Sequence, residues 1–490
     1  MKKICKKIVL TLFAAITLLV IGACGRRDGE LDIGFTEEQQ DEMGFIRVDD
    51  EDGVVGYALQ GLSGEIRVLA DGFTVIDLRI YAELFQRLHP DVTIIVEEQP
   101  GVDDMAQHMA FTTRLMANPP DILAFHGEKV FEKMDMGAVF ADLNPFLDGP
   151  RGINRVHYFD NIFRAAEVQG SLFHLPHHVH PDFSLLNRRL FEGIGVDVTQ
   201  MATFTVDDEI YYYFRIAEAF PDELIFPTRQ FSVLDILMRE RLYDLQTGEV
   251  FVDTPEMRHR FEMAMQIPLY EEVEFTPTRE MKPHRTTPLR YFTTESGQMR
   301  FTTYPEMLIV AQYIWFMLED HPNMQLSPPV LMAYAGGEGI GFRSLINMAM
   351  LEASQYKNLA WEFMRFVIEL EEYLGHIGHA KSSVSLPVNR ARFDTQLRGL
   401  LYESHQTAWF FLGVEWYVDI AQDEHREQTV AKTMEHMRGM METVNFERRT
   451  NRAIMRSLLY PDVWLLVSGQ QDIPRALASM QNRLELYVHE

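Results

Sequence analysis

The chain has 490 residues, 47% of them hydrophobic and 24% charged, which suits a globular protein of two or three domains with a sizeable core and excludes a disordered, collagen-like or polytopic membrane protein. Lys and Arg total 45 against 72 Asp and Glu, and the formal net charge of −27 repels a phosphate backbone. No basic patch follows the first seven residues, so nucleic acid is not expected as a partner. Two cysteines are too few for a disulfide scaffold or a multi-cysteine metal cluster.

At the N-terminus, Lys2, Lys3, Lys6 and Lys7 precede an uncharged run from Ile8 to Ala23. The run is about as long as the hydrophobic region of a signal peptide and marginal for a membrane span. It ends in Ile21-Gly22-Ala23-Cys24, which resembles the bacterial lipobox, a branched apolar residue and two small ones before a cysteine. Residues 1–23 are therefore expected to be a lipoprotein signal peptide, with Cys24 lipidated and holding the protein on the extracytoplasmic face of the cell membrane. An uncleaved signal anchor is the alternative. Cys5 leaves with the signal, so the mature body has no free cysteine. Residues 24–62 follow as an acidic tether, with eleven acids against three arginines and no sustained helical or strand period. The acids Asp49 to Asp52 do not have the spacing of an EF-hand.

Regular structure is expected from Gly64. Glu65 to Ala70 alternates like a strand and Asp71-Gly72 breaks it. Leu78, Tyr81, Leu84, Phe85 and Leu88 recur at helical spacing until His89-Pro90. Asp91 to Glu97 is a β-branched strand, Asp103 to Ala117 a second helix ended by Asn118-Pro119-Pro120, and Asp121 to Phe125 a third strand. This β-α-β-α-β order predicts parallel pairing with right-handed crossovers, and ligands beyond the carboxyl ends of the strands, at Asp71 to Thr74 and at His126-Gly127. The first strand is not followed by GxGxxG and the chain has no GxxxxGK[ST], so a dinucleotide or P-loop site lacks support. Residues 178–299 mix strands and helices. Leu359 to Leu370 is an amphipathic helix with Trp361 in its core face. Met434, Met437, Met440 and Met441 form a stripe best read as core. GxSxG, HExxH and HxxEH are absent, and acid pairs are too common here to single out a glycosidase dyad, so no enzyme is predicted.

Several segments, in order, resemble the family 1 extracellular solute-binding proteins of bacterial ABC importers. Ala82-Glu83-Leu84-Phe85 with His89-Pro90-Asp91-Val92 is similar to the family's opening helix and second strand, and Pro119-Pro120-Asp121-Ile122 to its third. Ala141-Asp142-Leu143-Asn144-Pro145, Leu175-Pro176, Leu186 to Phe191, Lys357 to Phe363 and Leu386 to Arg390 follow as later elements of the same pattern. The stretch Gln298 to Tyr304 departs from it. The resemblance covers about residues 64–490. It implies an α/β, two-lobe, type II periplasmic-binding-protein-like fold with a hinge, an interlobe cleft and a helix-rich C-terminal part. The N-terminal lobe is expected from 63–177 and 299–345, and the C-terminal lobe from 178–298 and 346–490. The protein would be a monomer without cofactor that binds a small-molecule solute, a sugar by expectation, and passes it to the transmembrane subunits of an ABC permease.

A sugar site needs aromatic faces for C–H surfaces and polar groups for desolvated hydroxyls. At the expected cleft edge, Asp71, Phe73 and Thr74 offer an acceptor, a stacking face and a donor, although Asp71 also fits a turn that caps the next helix. His126 follows the third strand, Tyr304 precedes Pro305 in the return crossing, and the Gly336–Gly339 turn presents Glu338 and the nearby Arg343. His174, His177, His178 and His180 crowd the first crossing. In an extended chain His174, His178 and His180 would share one face, which is ligand chemistry for a metal, but His178 touching solute is the preferred reading and no metal site is assigned. The rivals are a ligand sensor for a membrane kinase, a surface enzyme acting on polysaccharide, and a metal-binding lipoprotein using His174 to His180.

Overall fold

The computed structural model describes residues 45–49, 55–59, 62–72, 74–99, 105–126, 136–184, 186–221, 229–244, 247–268, 330–333, 339–370, 386–398, 423–447 and 455–489. The chain divides into two units, Met1–Leu62 and Ser63–Glu490. In the first, β1 (Phe45–Asp49) and β2 (Val55–Leu59) pair antiparallel from Phe45↔Leu59 to Asp49↔Val55. The expectation that regular structure begins only at Gly64 is therefore corrected. The acids lie mostly outside these two five-residue runs, which are rich in β-branched and aromatic residues.

The second unit opens with the predicted alternation: β3 (Gly64–Asp71), α1 (Val75–Leu88), β4 (Val92–Gln99), α2 (Met105–Ala117) and β5 (Ile122–His126). β3 pairs parallel with both β4 and β5, as the crossover rule requires. Beyond β5 the sheet continues with strands from later in the chain, β6 (Leu175–Pro181), β10 (Gly341–Met350) and β11 (Leu386–Pro387), in the order β11-β6-β10-β5-β3-β4. Both faces are covered. Leu69, Leu123 and Ala349 pack against Phe111 and Leu115 of α2. On α1, Phe85 meets edge-on Phe363 and Phe366 of α8 (Lys357–Leu370), at ring separations of 5.5 and 5.1 Å. Trp361 is buried in the same helix, as expected, and its Nε1 donates to the Arg151 carbonyl.

A second group of elements forms around β7 (Phe183–Ser184), β8 (Thr203–Phe204) and β9 (Val330–Met332), joined in the order β7-β9-β8. Against this small sheet pack α4 (Arg188–Gly193) and α5 (Val206–Ala219). Behind them α6 (Arg229–Arg239), α7 (Pro255–Ala264), α10 (Tyr460–Val467) and α11 (Ile473–His489) share one apolar cluster with α5. Helix α5 starts in a capping box: the Thr205 N–H donates to Asp208 Oδ2 and the Asp208 N–H to Thr205 Oγ1. Thr205→Ala should lower stability by about 1 kcal/mol in urea denaturation, the usual effect of losing such a cap.

The expected lobe boundaries at 177/178 and 345/346 fall inside β6 and β10, at the register irregularity of their antiparallel pairing. The chain leaves the first sheet for the small sheet at Asp182, between β6 and β7, and returns to it between Met332 and Gly341. The Met stripe of α9 (Asp423–Thr443) is buried core, and Asn161 Nδ2 on α3 (Asp160–Ala166) ties the end of that helix to the first group through the Met441 and Val444 carbonyls. The residues after it, β12 (Phe446–Glu447), pair with β10. Residues 346–370, 386–398 and 423–447 thus lie with the first sheet, and 455–489 with the second group.

Candidate functional site

The carboxyl ends of β3 and β5 point toward the crossings. In register, Ala70 sits beside Ala124, His126 beside Ile346 and Ile346 beside His178. Asp71, His126 and His178 therefore lie near one line across the sheet, spread over β3, β5 and β6 at about 5 Å per strand. This is the edge where an open α/β sheet receives a ligand. Asp71 and Thr74 are together here: Asp71 Oδ1 accepts from both the Thr74 N–H and Thr74 Oγ1, each at 3.1 Å. That is the turn arrangement weighed above, and it holds Thr74 buried at the start of α1. Beside it a small cavity is lined by Thr74, Asp77, Tyr81, Ala124, His177 and Ile346.

His178 is buried on β6 with a side-chain hydrogen bond to Gln396, and burial, then His177, then Arg392 hold its pKa well below 6.5. Arg343 stands within β10, 8% exposed, opposite His180, with Nε 3.2 Å from Asp182 Oδ1. Gly339, from the glycine-rich stretch, has φ +128°, where a Cβ would collide with Asn445 Oδ1, the acceptor of the Ile340 N–H. Phe73, Tyr304, Glu338 and Cys24 lie outside the described residues, as does the side chain of His126.

His174 and His180, two of the three histidines expected on one face, meet different partners. The β6–β10 register steps over Leu345 on one strand and His177 on the other, and this irregularity breaks the period-two alternation. His174 Nε2 lies 3.1 Å from Glu447 Oε1, an acceptor that also receives Ser344 Oγ at 2.6 Å. His177 Nε2 accepts from Arg392 Nη1 at 3.1 Å, and His180 Nδ1 from Arg343 Nη2 at 3.3 Å. Guanidinium groups only donate, so both rings are held as neutral acceptors. Burial and then Arg392 keep the His177 pKa well below 6.5. Burial lowers Arg392 to about 10, still charged at neutral pH, and raises Tyr81 and Tyr158 above the usual phenol range. Two rings beside fixed cations are poor company for a metal ion. Among the described residues no group of three His, Cys, Asp or Glu side chains is placed to hold one. Asp182, Arg392 and Glu447 carried no signal in the sequence, because their partners lie 103 to 273 residues away in the chain.

No family model and no curated protein matches the chain. Solved structures do. The sugar-binding protein MalE of Xanthomonas citri superposes with a TM-score of 0.52 at 14% identity, over 87% of this chain and 98% of that one. A candidate oligosaccharide-binding periplasmic protein of Synechococcus sp. MITs9220 gives 0.52 at 15%, over 86% and 99%. A sugar transporter structure from Rhizobium etli, in an open conformation, gives 0.50 at 14%, over 86% and 99%. The chain has the fold of these proteins, the two-lobe type II periplasmic-binding-protein architecture.

Proposed function

We propose that the protein is a lipid-anchored extracytoplasmic receptor that captures a carbohydrate between its lobes and delivers it to an ABC permease by lobe closure. The observation that carries the reading is the two-lobe fold over nearly the whole chain, whose strand ends converge on the crossings. The structures it resembles are named for binding or transporting sugars, and Ile21-Gly22-Ala23-Cys24 supplies the anchor. In this reading Asp71, Thr74, His126 and His178 form the first lobe's side of the cleft, and Phe73, Tyr304 and Glu338 complete it. The solute is bound and released unchanged, by a monomer. Closure is a shift between open and closed populations, and solute stabilises the closed one through contacts with both lobes.

The test is thermal unfolding of residues 25–490 with a panel of oligosaccharides, peptides and divalent metals. A ligand at about 100 times its dissociation constant should stabilise the folded state by ~2.7 kcal/mol. A rise in the midpoint with one sugar series and not with peptides or metals is the expected result. A rise with peptides or metals alone would overturn the carbohydrate assignment.

A further inference from the structure

The first crossing is one residue long. Asp182 stands between β6 and β7, and its backbone is bonded to both ends of the return strand: its N–H donates to the Gly341 carbonyl at 2.9 Å, and its carbonyl accepts from the Met332 N–H at 3.0 Å. Gly341 opens β10 on the first lobe's sheet, and Met332 closes β9 on the second lobe's. The side chain is 1% exposed, with Oδ1 3.2 Å from Arg343 Nε. Arg343 also donates through Nη2 to His180, whose ring lies 5.6 Å from that of Phe183, the first residue of β7. A single guanidinium thus holds the last part of β6, the crossing residue and β10 together where the lobes part.

We propose that Arg343 and Asp182, with His180 as the neutral third member, form a pivot lock that limits how far the lobes swing apart in the unliganded protein. Lobe rotation must be absorbed by the backbone dihedrals of a few residues at the crossings. A lone crossing residue would be the softest of them. Here its two backbone bonds and a charge pair shielded from water oppose that rotation. The role assigned to Arg343 is therefore positional: it acts on the solute only through lobe geometry. Its bearing on affinity rests on the receptor reading, since a wider open ensemble holds less of the binding-competent form. The lock itself does not depend on what the solute is.

The chain from residue 25 onward contains no cysteine, so Arg79→Cys on α1 and Glu218→Cys on α5, both exposed, can carry one spin label on each lobe. Pulsed dipolar spectroscopy of the ligand-free protein then reads the spread of lobe separations. The informative variant is Arg343→Met combined with Asp182→Asn. It removes both charges, strands neither, and keeps side-chain size, which is the way to retain folding while losing a buried pair. Its thermal midpoint should stay near that of the labelled parent while its distance distribution broadens and shifts to longer values. Arg343→Lys, which keeps the charge but loses the planar fork, should broaden it to a lesser degree. Distributions superimposable on the parent's in both variants would overturn the lock. If the double variant does not fold, Arg343→Lys decides alone. With no sugar in the sample, failure of the carbohydrate assignment would leave this outcome unchanged.

Discussion

Lowering the pH from about 7 to about 5 is expected to remove the stability held by the neutral histidines, at roughly 1.4 kcal/mol per pH unit below 6.5 for each one the fold keeps neutral. His177 and His178 are the main groups: burial and then Arg392 hold His177 well below the ordinary 6.5, and burial, then His177, then Arg392 do the same for His178. Burial lowers His89 and His436 in the same sense. The unfolded chain takes up these protons as the pH passes 6.5, and the folded chain does not. The histidine contribution is therefore whole above 6.5 and is lost progressively as pH falls toward the folded values. Glu369 acts in the opposite direction. Its carboxyl is raised to about 7 by desolvation against the pull of Arg365, so the folded state gains a proton from pH 7 downward, and Glu362 is raised likewise. His177→Gln separates the two effects. Its amide oxygen can accept from Arg392 as the ring did, and it does not titrate. Urea denaturation across this range should give a shallower loss of stability in His177→Gln than in the parent. Parallel pH profiles would contradict the assignment of a neutral, arginine-facing His177.

Replacing Glu447 by Ala should cost about 2–6 kcal/mol, since two buried donors lose one acceptor at roughly 1–3 kcal/mol each. Glu447 is almost fully buried, and its Oε1 takes both Ser344 Oγ and His174 Nε2. The residue lies in β12, which pairs parallel with β10, so this one carboxylate joins the start of β6, the middle of the sheet and a segment from late in the chain. Glu447→Gln keeps an acceptor oxygen and should cost on the order of 1 kcal/mol, the scale of a single exchanged hydrogen bond. Equal losses in the two variants, measured by urea denaturation, would show that the carboxylate does not carry the junction.

How far the sequence could be read follows from which interactions are local. The period-two run from Glu65 to Ala70 and the 3.6-residue run from Leu78 to Leu88 reappear as β3 and α1, because each buries one face against the next element in the chain. The Met stripe of α9 and the core position of Trp361 were legible for the same reason. The sheet that each later segment joins was not. Whether Ile346 and Phe363 join the first sheet or the second depends on β5, β6 and α1, up to about 280 residues away, and amphipathic runs carry no address. The glycines before Arg343 suggested a loop. The structure places it inside a strand, where Asp182, just beyond β6, and His180 within β6 meet its charge. The register irregularity at His177 is set by the pairing of β6 with β10 and is invisible in either strand alone.

The central claim, a receptor that closes on a carbohydrate, is tested most directly by small-angle X-ray scattering of residues 25–490 alone and with each saccharide of the thermal panel. The account predicts a smaller radius of gyration with the sugar series that raises the unfolding midpoint, as solute contacts with both lobes favour the closed form. An unchanged radius of gyration at saturation with every sugar would contradict it.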